Sequence, residues 1–383
     1  MSVTVPQGFE AAGVVAGIKN SGNRDVALVV NRGPLKVAAG VFTRNRVKAA
    51  PVMWSQQVLQ SGAIKAVVLN SGGANACTGP EGFADTHHTA EYVAKTLDFA
   101  PIDIAVCSTG LIGQRLPMDK IYSGIDQAAA NLSADGGDDA ACAIMTTDSV
   151  SKTSSVTRDG WSIGGMAKGA GMLAPGLATM LVTLATDAVV TSAQADAALR
   201  AATSVSFDRI DSDGCMSTND TVLLMASGAS GLAPSDDAFV EALKEVCLDL
   251  ARQLIGDAEG ATKDIRIEVI NSATEAEAVD VAREVSRSNL LKCAIHGEDP
   301  NWGRVLSAVG TTDAQFEPDR IDVALNGVWV CRNGMTGDDR NLVSMKDREV
   351  SITINLNSGS ESAVLWTNDL TAMYVHENSA YSS

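Results

Sequence analysis

Short apolar runs that each stop in a loop of small residues set the terms for what this chain can fold into. Val26-Ala-Leu-Val-Val30, Ile64-Lys-Ala-Val-Val-Leu69 and Ile102-Asp-Ile-Ala-Val-Cys107 read as buried strands. Two of them empty into Asn70-Ser-Gly-Gly-Ala-Asn-Ala76 and Ser108-Thr-Gly-Leu-Ile-Gly113. Helical spacing runs over 83–97, a further helix opens at Pro117, and 140–144 is expected to be helical. A glycine-dense stretch from Trp161 to Gly171 runs on through Gly176, and the strand Thr179-Met-Leu-Val-Thr-Leu-Ala185 follows. The second half gives helices over 192–203 and 236–255 and strands over 222–225, 265–270, 321–325 and 350–356. The mixture is α+β, or α/β layered, with no internal repeat and no obvious hinge.

Composition narrows the function classes. With 45% hydrophobic residues, 4% aromatics and 34 glycines, the core packs small side chains closely. A net charge of −17 argues against a surface that tracks nucleic-acid phosphates, which needs clustered Lys and Arg. No apolar run is long enough to span a membrane, and the first residues lack the pattern of an export signal. The seven cysteines are scattered and form no Cys-x-x-Cys pair, so zinc and thioredoxin-type sites are excluded and reduced thiols are expected. These features place the protein in the cytoplasm, with no metal and no cofactor expected.

Familiar motifs fail on inspection. Gly169-Ala-Gly-Met-Leu-Ala174 imitates a dinucleotide fingerprint, yet a strand follows where that fold needs a helix. Gly165-Met-Ala-Lys168 is no phosphate loop, because Gly169 stands where Ser or Thr would hold magnesium. Asp211-Ser-Asp-Gly-Cys-Met216 opens like a calcium loop but places Cys and Met at required positions. No Gly-x-Ser-x-Gly elbow is present. The four histidines, His87, His88, His296 and His376, all lie outside the glycine-rich segments, so the usual base for a hydroxyl nucleophile is missing.

A threonine can do without that base if it becomes an N-terminus. Its own α-amino group, with an unperturbed pKa of about 7.7–8.0, can take the hydroxyl proton near neutrality. An internal threonine reaches this state when its hydroxyl attacks the preceding carbonyl and water releases the resulting ester. Ala178-Thr179 fits: Ala174-Pro-Gly-Leu-Ala178 leads in, and an apolar strand holds Thr179 from behind. Taken alone, Thr179 reads first as a strand-favouring residue, and it is the ensemble of motifs that overturns this.

The chain closely resembles the ornithine acetyltransferase (glutamate N-acetyltransferase) family of arginine biosynthesis over its whole length. The resemblance is carried by Gly40-Val-Phe-Thr-Arg-Asn45, Leu69–Cys77, Cys107-Ser-Thr-Gly-Leu-Ile-Gly113, Ile144-Met-Thr-Thr-Asp148, Gly164–Met172 and Leu173-Ala-Pro-Gly-Leu-Ala-Thr-Met-Leu181. It continues in Ser217-Thr-Asn-Asp-Thr221, Asp257-Ala-Glu-Gly-Ala-Thr-Lys263, Asp299-Pro-Asn-Trp-Gly-Arg304 and Glu377–Ser383. It implies an αββα-type sandwich with a second, smaller α/β domain. It also implies self-cleavage between Ala178 and Thr179, giving an α chain (1–178) and a β chain (179–383) that fold together, assembled as α2β2.

By the same resemblance Thr179 takes the acetyl group of N-acetylornithine as an ester and passes it to glutamate in a ping-pong route. Thr109 and Gly110 match the oxyanion hole, Thr146 and Lys168 match substrate contacts, and Glu259 would pair with the cationic amine of ornithine. Asn378 and Ser383 match contacts from the end of the β chain. By residue type alone, Lys168 is also compatible with a solvated cation, Glu259 with a surface charge, and Thr109-Gly110 with a tight turn. Gly176 departs from the polar residue expected there and is expected to slow cleavage without abolishing it. The competing readings are a donor range that includes acetyl-CoA, a self-processing amidohydrolase or aminopeptidase, and a non-catalytic binding protein.

Overall fold

A computed structural model describes residues 2–174 and 180–380. The chain divides into two compact units, the first formed by residues 1–208 and 215–254, the second by 209–214 and 255–382.

The first unit holds β1 (Phe9–Val14), β2 (Val26–Asn31), β3 (Val37–Phe42), α1 (Ala50–Val58), β4 (Ala66–Ser71), α2 (Gly79–Leu97), β5 (Ile104–Thr109), α3 (Met118–Ala130) and α4 (Gly137–Ala143). It continues with β6 (Lys152–Arg158), β7 (Trp161–Lys168), β8 (Leu181–Thr186), α5 (Ser192–Val205), β9 (Thr221–Ala226) and α6 (Asp236–Gly256). One sheet runs β1-β2-β4-β5 and the other β3-β9-β8-β7-β6. Every residue of β2, β4 and β5 is buried, which is why they read as unbroken apolar runs without alternation. Parallel pairs need long crossovers; α2 supplies one between β4 and β5, and α5, opened by a Thr191–Gln194 capping box, supplies another between β8 and β9.

Helices α2 and α3 lie against the first sheet and α5 and α6 against the second. Residues of both sheets, among them Leu28 and Val29 on one side and Leu181 and Leu223 on the other, share one core. This is the layering that the family resemblance implies.

The second unit is smaller. Its sheet, in the order β13-β12-β11-β14-β10-β15, uses β10 (Asp264–Ser272), β11 (Asp322–Leu325), β12 (Val328–Arg332), β13 (Met335–Thr336), β14 (Glu349–Asn355) and β15 (Glu361–Asn368). With it go α7 (Glu275–Ser286), α8 (Asn289–His296), α9 (Trp302–Val309) and α10 (Ala372–Ala380). Ala278, Val281, Ala282 and Val285 form the buried stripe of α7, packed with Ile265, Ile267 and Leu365.

A stretch as rich in glycine as 161–168 does not announce a strand, and the packing of β7 explains its glycines. A Cβ on Gly164 would meet the carbonyl oxygen of Ser2 at 2.2 Å, and one on Gly165 would meet Leu184 at 2.7 Å. The N-terminal segment and β8 therefore approach the β7 backbone more closely than any side chain allows. Gly164→Ala is expected to destabilise the protein by about 1–3 kcal/mol through overpacking. The check is a lower denaturant midpoint at unchanged slope; an unmoved midpoint would contradict the packing argument.

Candidate active site

Two loops leave the carboxyl ends of the parallel pair β4 and β5 side by side, and the candidate residues Thr109 and Gly110 lie there. Thr109 closes β5, and its carbonyl accepts the Gly73 N–H at 3.0 Å. Because the peptide is trans, the following Gly110 N–H points the opposite way, away from Gly73. Gly110 has a φ of +124°, and a Cβ there would lie 2.6 Å from Gly73 N, so only glycine fits. Asn219, just before β9, ties the loop after β4 to the end of β5 by donating to Ala74 O at 2.6 Å and Ser108 O at 2.8 Å.

Lys168 stands at the end of β7 and is buried, so it is not a solvated cation. Its Nζ donates to Thr109 Oγ1 at 3.3 Å. That contact uses the acceptor side of the hydroxyl and leaves its single O–H to donate elsewhere. Lys168 is the register partner of Leu181, the first residue of β8. Strand pairing thus brings the backbone two residues beyond Thr179 alongside Lys168. Met180 is pinned from both sides, its N–H donating to Asp220 Oδ1 at 3.1 Å and its carbonyl accepting from Thr221 N at 3.1 Å. Burial pushes the Asp220 carboxyl well above the usual carboxylate range.

Asp148 is the charge at the centre of this group. Oδ1 accepts from Lys152 Nζ at 2.6 Å and from Gly169 N at 2.6 Å, and Oδ2 accepts from Thr146 N at 2.9 Å. Lys168 Nζ lies 4.0 Å from Oδ2. Burial alone would push this carboxyl up, but the charges of Lys168 and Lys152 and the bonds from Lys152 and Thr146 outweigh it and hold the pKa at about 2. Burial lowers the pKa of nearby Lys19, whose Nζ donates to Met145 O at 3.0 Å.

The other expected residues lie in the second unit. Glu259 is buried and accepts from Asn378 Nδ2 at 2.9 Å, so the surface-charge reading of Glu259 fails. Its turn is held by Asp369, whose Oδ1 accepts the N–H groups of Thr262 at 2.8 Å and Lys263 at 2.9 Å. Thr371 Oγ1 donates to Gly260 O at 2.8 Å. Asp211, at the head of the rejected calcium-like loop, instead accepts Gly214 N at 3.0 Å and Arg287 Nε at 2.7 Å. Among the described residues no cluster of three or more His, Cys, Asp or Glu could hold a metal ion.

The structure thus joins Thr109, Lys168 and the Thr146 backbone around Asp148, and pairs Glu259 with Asn378. Ala178, Thr179 and Ser383 lie outside the described residues, as does Gly176. Sequence reasoning missed Asp148 and Lys152, and took Asn219 and Asp220 as site-wall or turn residues without a role. All but Lys152 sit inside segments that carry the family resemblance, which was the available signal.

An oxyanion-type turn beside a buried ammonium fits an acyltransferase. Comparison with known proteins agrees. The ArgJ family model matches residues 10–383. The arginine biosynthesis bifunctional protein ArgJ of Streptomyces coelicolor is 68% identical over 383 residues, covering all of both chains. Its namesake from Mycobacterium tuberculosis is 54% identical over 389 residues, covering all of this chain and 96% of the other. Among solved structures, the arginine biosynthesis bifunctional protein argJ of Bacillus halodurans is 35% identical with a TM-score of 0.50, over 52% of this chain and 97% of that one. The chain belongs to the ArgJ family.

The depressed Asp148 pKa has a stability consequence with a definite sign. Its folded value, about 2, lies below the ordinary value near 3.9, so its ionisation stabilises the fold above that ordinary value and ceases to do so as pH falls through about 2. The stability advantage of the natural chain over Asp148→Asn, read from denaturant midpoints, is expected to shrink between about pH 4 and pH 2. A constant gap across that window would contradict the assignment.

Proposed function

We propose that this protein transfers the acetyl group of N2-acetyl-L-ornithine to L-glutamate, giving L-ornithine and N-acetyl-L-glutamate, as a step of arginine biosynthesis. The reading is supported by ArgJ family membership and by relatives of this name that match the chain end to end. The observation that carries the chemistry is Lys168 at 3.3 Å from Thr109 Oγ1, at the strand end paired with Leu181.

The chain first cuts itself between Ala178 and Thr179. The freed α-amino group of Thr179 then takes the proton of its hydroxyl, which attacks the acetyl carbonyl. The Thr109 O–H and the Gly110 N–H receive the charge that develops on the carbonyl oxygen. Ornithine leaves as the acetyl ester forms on Thr179, and the amino group of glutamate takes the acetyl group in the second half-reaction. Lys168 binds a substrate carboxylate, Thr146 contacts the substrate, and Glu259 receives the cationic end of ornithine with Asn378 and Ser383 beside it.

Several features favour this order of events. The cut falls between β7 and β8, which pair along Ile163–Lys168 and Leu181–Thr186, so both pieces stay in one sheet. The Bacillus halodurans chain is accounted for by about half of this one, the length expected of one piece and not of the precursor. The pieces 1–178 and 179–383 assemble as α2β2 in the cytoplasm, a setting in keeping with seven free cysteines. A second reading, in which acetyl-CoA also acetylates glutamate, is favoured by the word bifunctional in the names of the relatives.

On a denaturing gel the purified protein is expected as two pieces, the smaller beginning at Met1 and the larger at Thr179, and Thr179→Ala as one band of 39.7 kDa. An active natural chain that runs as one band would sink the cleavage step. Thr109→Val is expected to lower kcat about 10²–10³-fold. Acetyl transfer from N-acetylornithine to glutamate, measured against acetate release and against acetyl-CoA as donor, separates the transferase from a hydrolase and fixes the donor range.

A further inference from the structure

We propose that Asp148 and Lys152 form a positioning pair that sets the charge and the aim of Lys168. The inference rests on the acetyl-transfer reading and names two residues for which that reading has no role.

One carboxylate here faces two buried ammonium groups. Lys152 and Asp148 have fully buried side chains, and Lys168 is almost as buried. Lys152 makes the direct contact, at 2.6 Å. Lys168, at 4.0 Å, is too far for a hydrogen bond to Asp148 but well within its field. It donates to the Thr109 hydroxyl instead. Asp148 therefore sets a negative field on the Lys168 ammonium without capturing it.

Lys152 makes that possible. It and the Gly169 N–H occupy Oδ1, and the Thr146 N–H occupies Oδ2. Without Lys152, the carboxylate would draw Lys168 into direct contact and away from the Thr109 hydroxyl. With it, the Lys168 ammonium stays directed at the Thr109 hydroxyl, where a substrate carboxylate or an oxyanion is to be held. The same carboxylate fixes the backbone on either side of the site, at Thr146 and at Gly169. Among the described groups, Lys19 from the loop after β1 lies in the field of Asp148 and of Cys142 on α4, and Asp220 before β9 lies in that of Lys168.

The test compares Asp148→Asn, Lys152→Met and Lys152→Arg in the full chain, assaying acetyl transfer from N-acetylornithine to glutamate across pH. Asp148→Asn removes the field that favours a protonated Lys168. The alkaline limb of kcat/KM is expected to fall by about 1–3 pH units. Lys152→Met lets Asp148 hold Lys168 directly. KM is expected to rise several-fold with the alkaline limb in place, and Lys152→Arg is expected to restore KM.

An Asp148→Asn variant that loses kcat with an unmoved alkaline limb has lost only structure, and overturns the proposal. So does a Lys152→Met variant with the natural KM. Loss of fold in all three, read by circular dichroism, assigns the pair a structural role alone and likewise overturns it. A natural chain without acetyl transfer would defeat the functional reading instead, and the two failures are thereby told apart.

Discussion

The ion pair between Lys152 and Asp148 is the interaction on which the rest of the site depends. Neither side chain touches solvent, so each charge relies on close partners, and each is the other's nearest opposite charge among the described residues. Removing one partner of such a buried pair typically costs about 3–5 kcal/mol, far more than a surface ion pair contributes. The carboxylate also accepts two backbone N–H groups, from Thr146 and Gly169. Residues 146–148 and 168–169 thus form one unit, and Lys168 and Thr109 take their places relative to it.

Around that pair the fold solves a problem of access. Strands β4, β5, β7 and β8 are buried throughout and offer no room for a cleft in their middles. Open chemistry has to sit at their ends, and small residues concentrate there for that reason: Gly72, Gly73 and Gly110 allow two loops to touch backbone to backbone. A hydroxyl nucleophile without a histidine needs a base of its own and a fixed oxyanion site. A terminal threonine supplies the first, and a turn locked by Gly110 suits the second. Cutting the chain between two paired strands would create that terminus without releasing either piece from the sheet.

Much of this was legible in the sequence, and unevenly so. Continuous apolar runs announced β2, β4 and β5, and the expected helices over 192–203 and 236–255 appear as α5 and α6 within a few residues. The strand β7 was hidden because Gly164 and Gly165 answer to neighbours far along the chain, Ser2 and Leu184, which no local pattern records. In the second unit, α7 to α10 and β12, β13 and β15 went unanticipated, although the stripe Ala278, Val281, Ala282 and Val285 does have helical spacing. The sequence offers no obvious hinge, so the division into two units, whose boundaries at 208, 214 and 254 fall within and beside regular elements, was indicated by the family resemblance and by no local pattern. At the site, the family resemblance pointed to Thr109, Gly110 and Lys168, but residue types alone could not reveal that Asp148 bonds Lys152, four residues on. A charge pair buried at the end of a sheet looks, in sequence, like any Asp and Lys in a polar loop.

The account turns on a covalent acetyl group carried by Thr179, and intact-protein mass spectrometry tests that most directly. The protein is mixed with N-acetylornithine alone, without glutamate, and quenched in acid within the turnover time. The account predicts one added acetyl group on the piece 179–383, located at Thr179 and discharged when glutamate is supplied. A protein that exchanges acetyl groups between the two amino acids while residues 179–383 never gain that mass would contradict it.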